Sequence, residues 1–154
     1  MRVPLIVKWP GVTRAGTVIE TPVISADYHP TIVEMARLKP QEGQIIDGES
    51  LVPVLKGSGG LKRTALYWHY PHYHPGGATP YGAIREGDWK LIEFFEDNHV
   101  ELYDLKEDLG EARDLATVQK QKAGELRSKL HSWRRAVGAQ MPSLNPDYDP
   151  NAKP

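Results

Sequence analysis

The residues with the most chemistry to offer crowd into one segment, Tyr67-Trp68-His69-Tyr70-Pro71-His72-Tyr73-His74-Pro75-Gly76-Gly77. Three of the chain's 6 histidines fall there, set among aromatic rings. An imidazole is a donor or acceptor near neutral pH and the commonest metal ligand. The spacing argues against a metal. On a strand His69 and His72 point to opposite faces, and His-x-x-His away from a helix is a weak ligand pattern. Two readings stay open. In one, a loop leaving a strand end presents imidazoles and phenols to a hydroxyl-rich or anionic molecule. In the other, the rings pack together and their nitrogens meet backbone carbonyls.

Other constellations carry less. Asp104, Glu107, Asp108, Glu111 and Asp114 form an acidic run without the Gly-centred loop and terminal Glu of a calcium-binding hand. It reads as a solvated connector that ends by capping the next helix. Ser25, Asp27 and His29 are too close in sequence to form a hydrolase triad, and no Gly-x-Ser-x-Gly elbow exists. Gly57-Ser58-Gly59-Gly60 lacks the Lys-Ser/Thr of a phosphate-binding loop and reads as a linker. With 0 Cys there is no thiol nucleophile, thiolate metal site or disulfide. No complete catalytic set and no metal site is present in the sequence.

The elements that must carry the histidine segment are an antiparallel sheet and a helix. Four strands are predicted in succession, Ala65 to Tyr70, Tyr81 to Glu86, Trp89 to Phe95 and Val100 to Leu105. Gly87-Asp88 and Asp97-Asn98 supply hairpin turns. Trp89, Leu91 and Glu93 point one way, and Lys90, Ile92 and Phe94 the other. Residues 117–138 read as a helix whose apolar stripe is Ala123, Leu126, Leu130, Trp133 and Val137, with Lys120, Lys122, Lys129 and Arg134 off it. Gly138 is the stop. The helix is expected to pack across the sheet.

Residues 1–56 read differently, as the end of an α/β domain. Leu5-Ile6-Val7 is a continuous apolar run of the kind covered on both faces in a parallel sheet. Val18-Ile19 and Val23-Ile24 are weaker strand candidates. Ser25 to Leu38 is predicted helical, with Asp27 as cap, Pro30 in the first turn, and Ile32, Met35 and Ala36 as a narrow stripe. Leu51 to Leu55 is a short further element, and residues 141–154 a Pro-rich extended tail. The predicted class is therefore α+β, with domains at 1–56 and 61–140. Strand Val3 to Val7 lacks neighbours, so the chain should either form a homodimer through residues 1–38 or leave them irregular.

The chain has 154 residues and a formal net charge of −1, which gives nucleic acid nothing to hold by bulk electrostatics. The first apolar stretch ends at Lys8, too short for a signal peptide's core or a membrane span. No repeat period emerges.

Read in order, several phrases resemble one family. Arg2-Val-Pro-Leu-Ile-Val-Lys-Trp-Pro-Gly11 resembles the strand and turn late in the large domain of type I sulfatases. Val23 through Pro30-Thr31 to Ala36 resembles the helix that follows. Asp47-Gly48-x-Ser50-Leu51 resembles the next loop. Tyr67-Trp-His-Tyr-Pro-His72, Ala83-Ile-Arg85, Gly87-Asp-Trp-Lys-Leu91 and Glu101-Leu-Tyr-Asp-Leu105 then resemble the family's C-terminal subdomain. The resemblance spans about residues 2–150.

It implies a sulfuric-ester hydrolase of the alkaline-phosphatase-like superfamily, of which this chain is the C-terminal third or so. The family's nucleophile is a formylglycine made from Cys or Ser in Cys/Ser-x-Pro-x-Arg, and its calcium ligands include an early Asp-Asp pair. The sequence has no Cys, no Ser-x-Pro-x-Arg and no adjacent Asp pair. Calcium and formylglycine would thus belong to a missing N-terminal catalytic domain, and no catalytic residue carries over. The chain would give structural support and part of the pocket rim, and be inactive alone. The resemblance places His69 and His72 first among substrate-binding residues, then Tyr70 and His74, and Arg85 last. The substrate would be a sulfated small molecule or saccharide, and the parent would be periplasmic or secreted, without a nucleic-acid or membrane partner. The alternatives are a non-catalytic carbohydrate-binding or assembly module using the same surface, and part of a related phosphoesterase.

Overall fold

The computed structural model describes residues 3–143, 145 and 146, and the chain divides into two compact units between Thr64 and Ala65. Much of the predicted tail, residues 144 and 147–154, lies outside the described residues.

The first unit holds a 3-10 turn at Ser25–Asp27, helix α1 (Tyr28–Met35) and the short helix α2 (Val52–Leu55). None of the predicted strands forms in it. Residues 3–24 are irregular apart from turns, with Val3 and Ile6 exposed. A strand apolar on both faces needs partners on both edges, and this unit offers none. Pro30 sits in the first turn of α1 as expected, since its missing N–H has no partner to lose there. The expected apolar stripe is wrong: Ile32 and Ala36 are exposed, and the buried member of α1 is Thr31.

Asp27 stands at the N-cap position of α1 as expected, but its side chain makes no capping bond to that helix. Its carboxylate is fully buried and accepts N–H bonds from Ile24 at 2.9 Å and Glu49 at 3.0 Å, while the Arg63 guanidinium grips both oxygens. Thr31 Oγ1 donates to the Asp27 carbonyl at 2.5 Å and accepts the Leu51 N–H at 2.8 Å. The Glu49 carboxylate accepts the N–H groups of Lys62 and Arg63, each at 2.7 Å. Gly48 is required where the loop passes the 3-10 turn, because any Cβ there would overlap the Ala26 carbonyl. Polar links, rather than a stripe of apolar side chains, thus tie α1 to residues 48–63.

The second unit matches the expected fold class. Strands β1 (Ala65–Tyr70), β2 (Tyr81–Glu86), β3 (Trp89–Phe94) and β4 (Val100–Asp104) form an antiparallel meander in the order β1-β2-β3-β4. The register puts Tyr67 opposite Ile84, Ile84 opposite Leu91 and Leu91 opposite Leu102. These residues share one face with His69, Gly82 and Glu93, because side chains alternate along each strand. Helix α3 (Lys120–Ala136) packs across that face.

Ile84, Leu91, Leu102, Ala123, Leu126 and Leu130 form the core, with Tyr67, Trp89 and Trp133 packed around it. Burying each large aliphatic side chain stabilises the unit by about 1.5–3 kcal/mol. Tyr67 and Trp133 stack in parallel, ring centroids 4.8 Å apart. Gly138 (φ 63°) ends the helix, with Ala139 N–H bonded to the Arg134 carbonyl at 2.9 Å and Gly138 N–H to that of Arg135 at 3.3 Å.

Two expectations about α3 fail. Val137 is 55% exposed, whereas Arg134, expected on the wet side, is 8% exposed. Asp114 does not cap α3 either. It accepts the N–H groups of Leu102 and Ala116, tying the connector back to β4. No described helix is long and apolar enough to cross a membrane.

Candidate functional site

The histidine segment straddles the end of β1. Tyr67, Trp68, His69 and Tyr70 lie in the strand, and residues 71–80 form the connection to β2. Pro71, Pro75 and Pro80 cannot donate to a ladder, so this stretch leaves the sheet as an open loop. His74 is its internal pin. The His74 N–H donates to the Ala78 carbonyl, the His74 carbonyl accepts the Gly77 N–H, and Nδ1 accepts the Gly76 N–H, all at 2.9 Å. His72, Tyr73 and His74 are exposed. The Tyr70 ring lies 5.7 Å from the His72 ring, which meets it edge-on, and 5.7 Å from the Tyr81 ring. The Tyr73 hydroxyl donates to Glu96 at 2.8 Å.

His69 is placed differently from its neighbours. Its Nε2 lies 2.7 Å from the Gln140 carbonyl, an acceptor, so Nε2 carries the hydrogen. The ring packs against Phe95 with centroids 5.5 Å apart, and Nδ1 is buried without a partner. Arg85 points to the other face of the sheet and donates from Nε to the Gly87 carbonyl at 3.2 Å. Tyr70 and His72 are thus in ring contact and His74 stands in the same exposed loop, while His69 turns to the helix-facing side of the sheet and Arg85 lies apart.

On the helix-facing side of the sheet stands a group that the sequence reading overlooked. Glu93 is 2% exposed on the helix-facing side of β3. Three cationic or imidazole side chains from one stripe of α3 converge on it. Arg127 Nε donates at 2.6 Å, His131 Nε2 lies 2.8 and 3.0 Å from the two carboxylate oxygens, and Arg134 Nη2 makes the closest contact. Burial alone would raise the Glu93 pKa; hydrogen bonds from Arg134, then His131 and Arg127, outweigh it and hold the carboxyl below its usual value. A signal for this group existed. Glu93 follows Trp89 and Leu91 on the inward face, and positions 127, 131 and 134 repeat at the same four-three spacing as Leu126, Leu130 and Trp133.

The remaining candidates stay apart. His29 contacts Gln44 at 3.5 Å, while Asp27 is taken by Arg63, so Ser25, Asp27 and His29 make no triad. Among the described residues no three His, Cys, Asp or Glu stand close enough to hold a metal ion. The sequence holds no Cys and no Ser-x-Pro-x-Arg from which formylglycine is made, and the described residues gather no donor set that fits calcium. Two surface depressions lie along α3, about 280 Å³ beside Arg134, Arg135 and Met141 and about 460 Å³ beside Tyr67, Lys129 and Trp133.

Residues 1–137 match the family described as N-sulphoglucosamine sulphohydrolase, C-terminal. The chain belongs to this sulfatase family. A sulfatase of Formosa agariphila is 33% identical over 148 residues, covering 86% of this chain and 27% of the relative. An N-acetylglucosamine-6-O-sulfatase of Bacteroides thetaiotaomicron is 34% identical over 120 residues, covering 74% of this chain and 21% of the relative. Among solved structures, one in complex with its substrate D-glucosamine-2-N,6-O-disulfate superposes with a TM-score of 0.72 at 31% identity, over 89% of this chain and 29% of that one. The sulfatase C-terminal chain described here therefore spans between 21% and 29% of the length of these relatives. The four-stranded sheet with its C-terminal helix is the sulfatase C-terminal subdomain expected from the sequence.

Proposed function

We propose that this chain is the C-terminal portion of a sulfuric-ester hydrolase acting on a sulfated saccharide, and that residues 70–78 form part of its substrate-pocket rim. The match to sulfatases over nearly the whole chain carries the reading, and two of the named relatives act on or bind sulfated glucosamines. In this account residues up to about 56 are the end of the large α/β domain. Residues 61–140 are the subdomain that presents the histidine loop. The formylglycine nucleophile and calcium, which supply the attacking group and the charge stabilisation in this family, come from outside this chain. On its own the chain turns over no sulfate ester.

The loop's chemistry suits that role. An exposed imidazole donates to a sulfate oxygen or a sugar hydroxyl, and a phenol edge packs on a pyranose ring. His72 and His74 are the exposed donors, with the Tyr70 ring against His72. His69, committed to Gln140 and Phe95, sets their position from the end of β1. The contacts fall on the leaving-group saccharide, so they orient the substrate rather than perform chemistry.

The test is kinetic. In the sulfatase that carries this chain, His72→Ala should lower kcat/KM for a glucosamine 6-sulfate substrate by about tenfold, the loss of one charge-assisted or oriented hydrogen bond. Unaltered kinetics with an unaltered fold would sink the rim assignment. The upstream reading frame gives a second check, since the account requires Cys/Ser-x-Pro-x-Arg in it.

A further inference from the structure

One aromatic ring outside the proposed substrate contacts borders the histidine loop at both ends. Phe95 follows β3 directly, and its N–H donates to the Pro80 carbonyl at 2.9 Å, at the far end of the loop. Its ring packs on His69, near the loop's other end, with centroids 5.5 Å apart. The Arg134 guanidinium lies over the same ring, 4.9 Å from its centroid, a cation–π contact. Arg134 is in turn fixed by the buried Glu93. Gly82 stands opposite both His69 and Glu93, and it leaves the space this stack occupies. A Cβ there would come within 3.3 Å of the Phe95 ring and 3.4 Å of Arg134 Nη2.

We propose that Phe95 is the positioning residue of the histidine loop, clamped by the Glu93–Arg134 pair and holding both ends of residues 71–80 in register. The inference deepens the rim reading above and rests on it for its consequence in catalysis. The clamp itself is testable without a substrate. The His74, Gly76 and Gly77 bonds tie the loop to itself, and the Tyr73 hydroxyl ties it to Glu96 just beyond Phe95. Its placement depends as well on where β1 and β2 release it. Tyr70 and Tyr81 mark those points, and the Phe95 stack sits directly behind them. A loop so held meets its ligand with less ordering to lose on binding.

The experiment pairs Phe95→Leu with Phe95→Tyr. The first removes the aromatic face while leaving Glu93, Arg134 and the leucine core in place; the second restores the face. Hydrogen exchange on the 154-residue chain should show the Gly76, Gly77 and His74 amides losing protection by about tenfold in Phe95→Leu and regaining it in Phe95→Tyr. The core amides of Leu91 and Leu102 should be unchanged in both. In the sulfatase carrying the chain, KM for a glucosamine 6-sulfate substrate should rise by about tenfold in Phe95→Leu while kcat holds. Loop protection equal to wild type in Phe95→Leu, or protection that the Tyr variant fails to restore, overturns the clamp. Altered exchange with unchanged KM leaves the clamp standing and overturns its link to substrate. Should His72→Ala also prove silent, the rim reading has failed, and the exchange data still decide the clamp.

Discussion

Removing the Glu93 carboxylate tests the energetic centre of the second unit. Glu93→Ala leaves Arg134 charged, nine-tenths buried and without its anionic partner. Breaking a buried pair from one side costs about 3–5 kcal/mol, because the desolvated charge that remains is uncompensated. Arg127 and His131 are 38% and 40% exposed, so water replaces much of what they lose and their share is small. A unit of this size shifts its midpoint by roughly 4–8 °C per kcal/mol, so thermal unfolding followed by near-UV circular dichroism should move down by at least about 12 °C. The double variant Glu93→Leu with Arg134→Met removes both charges and keeps apolar volume. It should recover most of that loss, since a buried ion pair exchanged whole for apolar groups is close to neutral. Glu93→Gln, which keeps one acceptor, should fall between. The reasoning is refuted by a Glu93→Ala midpoint within about 4 °C of wild type, or by a double variant as unstable as the sum of the two singles.

Acid should reveal the same group and Asp27 together. Both carboxyls are held below their ordinary values of 4.5 and 3.8, against burial, which works the other way; Arg134 and Arg63 are the leading causes. A depressed folded pKa stabilises fully above the unfolded value and is lost as pH falls through the folded one. Urea midpoints should therefore be flat above about pH 5 from these groups and fall below it, with Glu93→Gln flattening the acid limb; an acid limb as steep in the variant as in wild type contradicts this. Leu130→Ala, at a site with no exposure, should cost about 2–5 kcal/mol, and Leu130→Asp should unfold the sheet and helix. A cooperative melt with an unchanged midpoint in Leu130→Asp rejects the packing of α3 on the sheet.

The sheet was readable because its signals are local. Alternation in Trp89 to Phe94 and the Gly87-Asp88 turn define a hairpin whatever else surrounds it. The strand expected at Leu5 to Val7 depended on distant neighbours, and an apolar run alone does not supply them. Arg134 was misplaced for a related reason: a long cation falls off an apolar stripe in any periodicity count, and only a buried carboxylate on a facing strand brings it inside. Asp27 repeats the lesson, since a carboxylate before a helix looks like a cap until an arginine 36 residues downstream occupies it. In the histidine loop, residue type announced His72 and His74, but spacing could not show that His69 turns back toward Gln140 and Phe95.

The most direct test of the account is the ratio of kcat/KM for sulfate release from a glucosamine 6-sulfate substrate, wild type against His72→Ala, in the sulfatase that carries this chain. The account predicts about a tenfold fall with the thermal midpoint unchanged. An unchanged kcat/KM in a folded variant would contradict it.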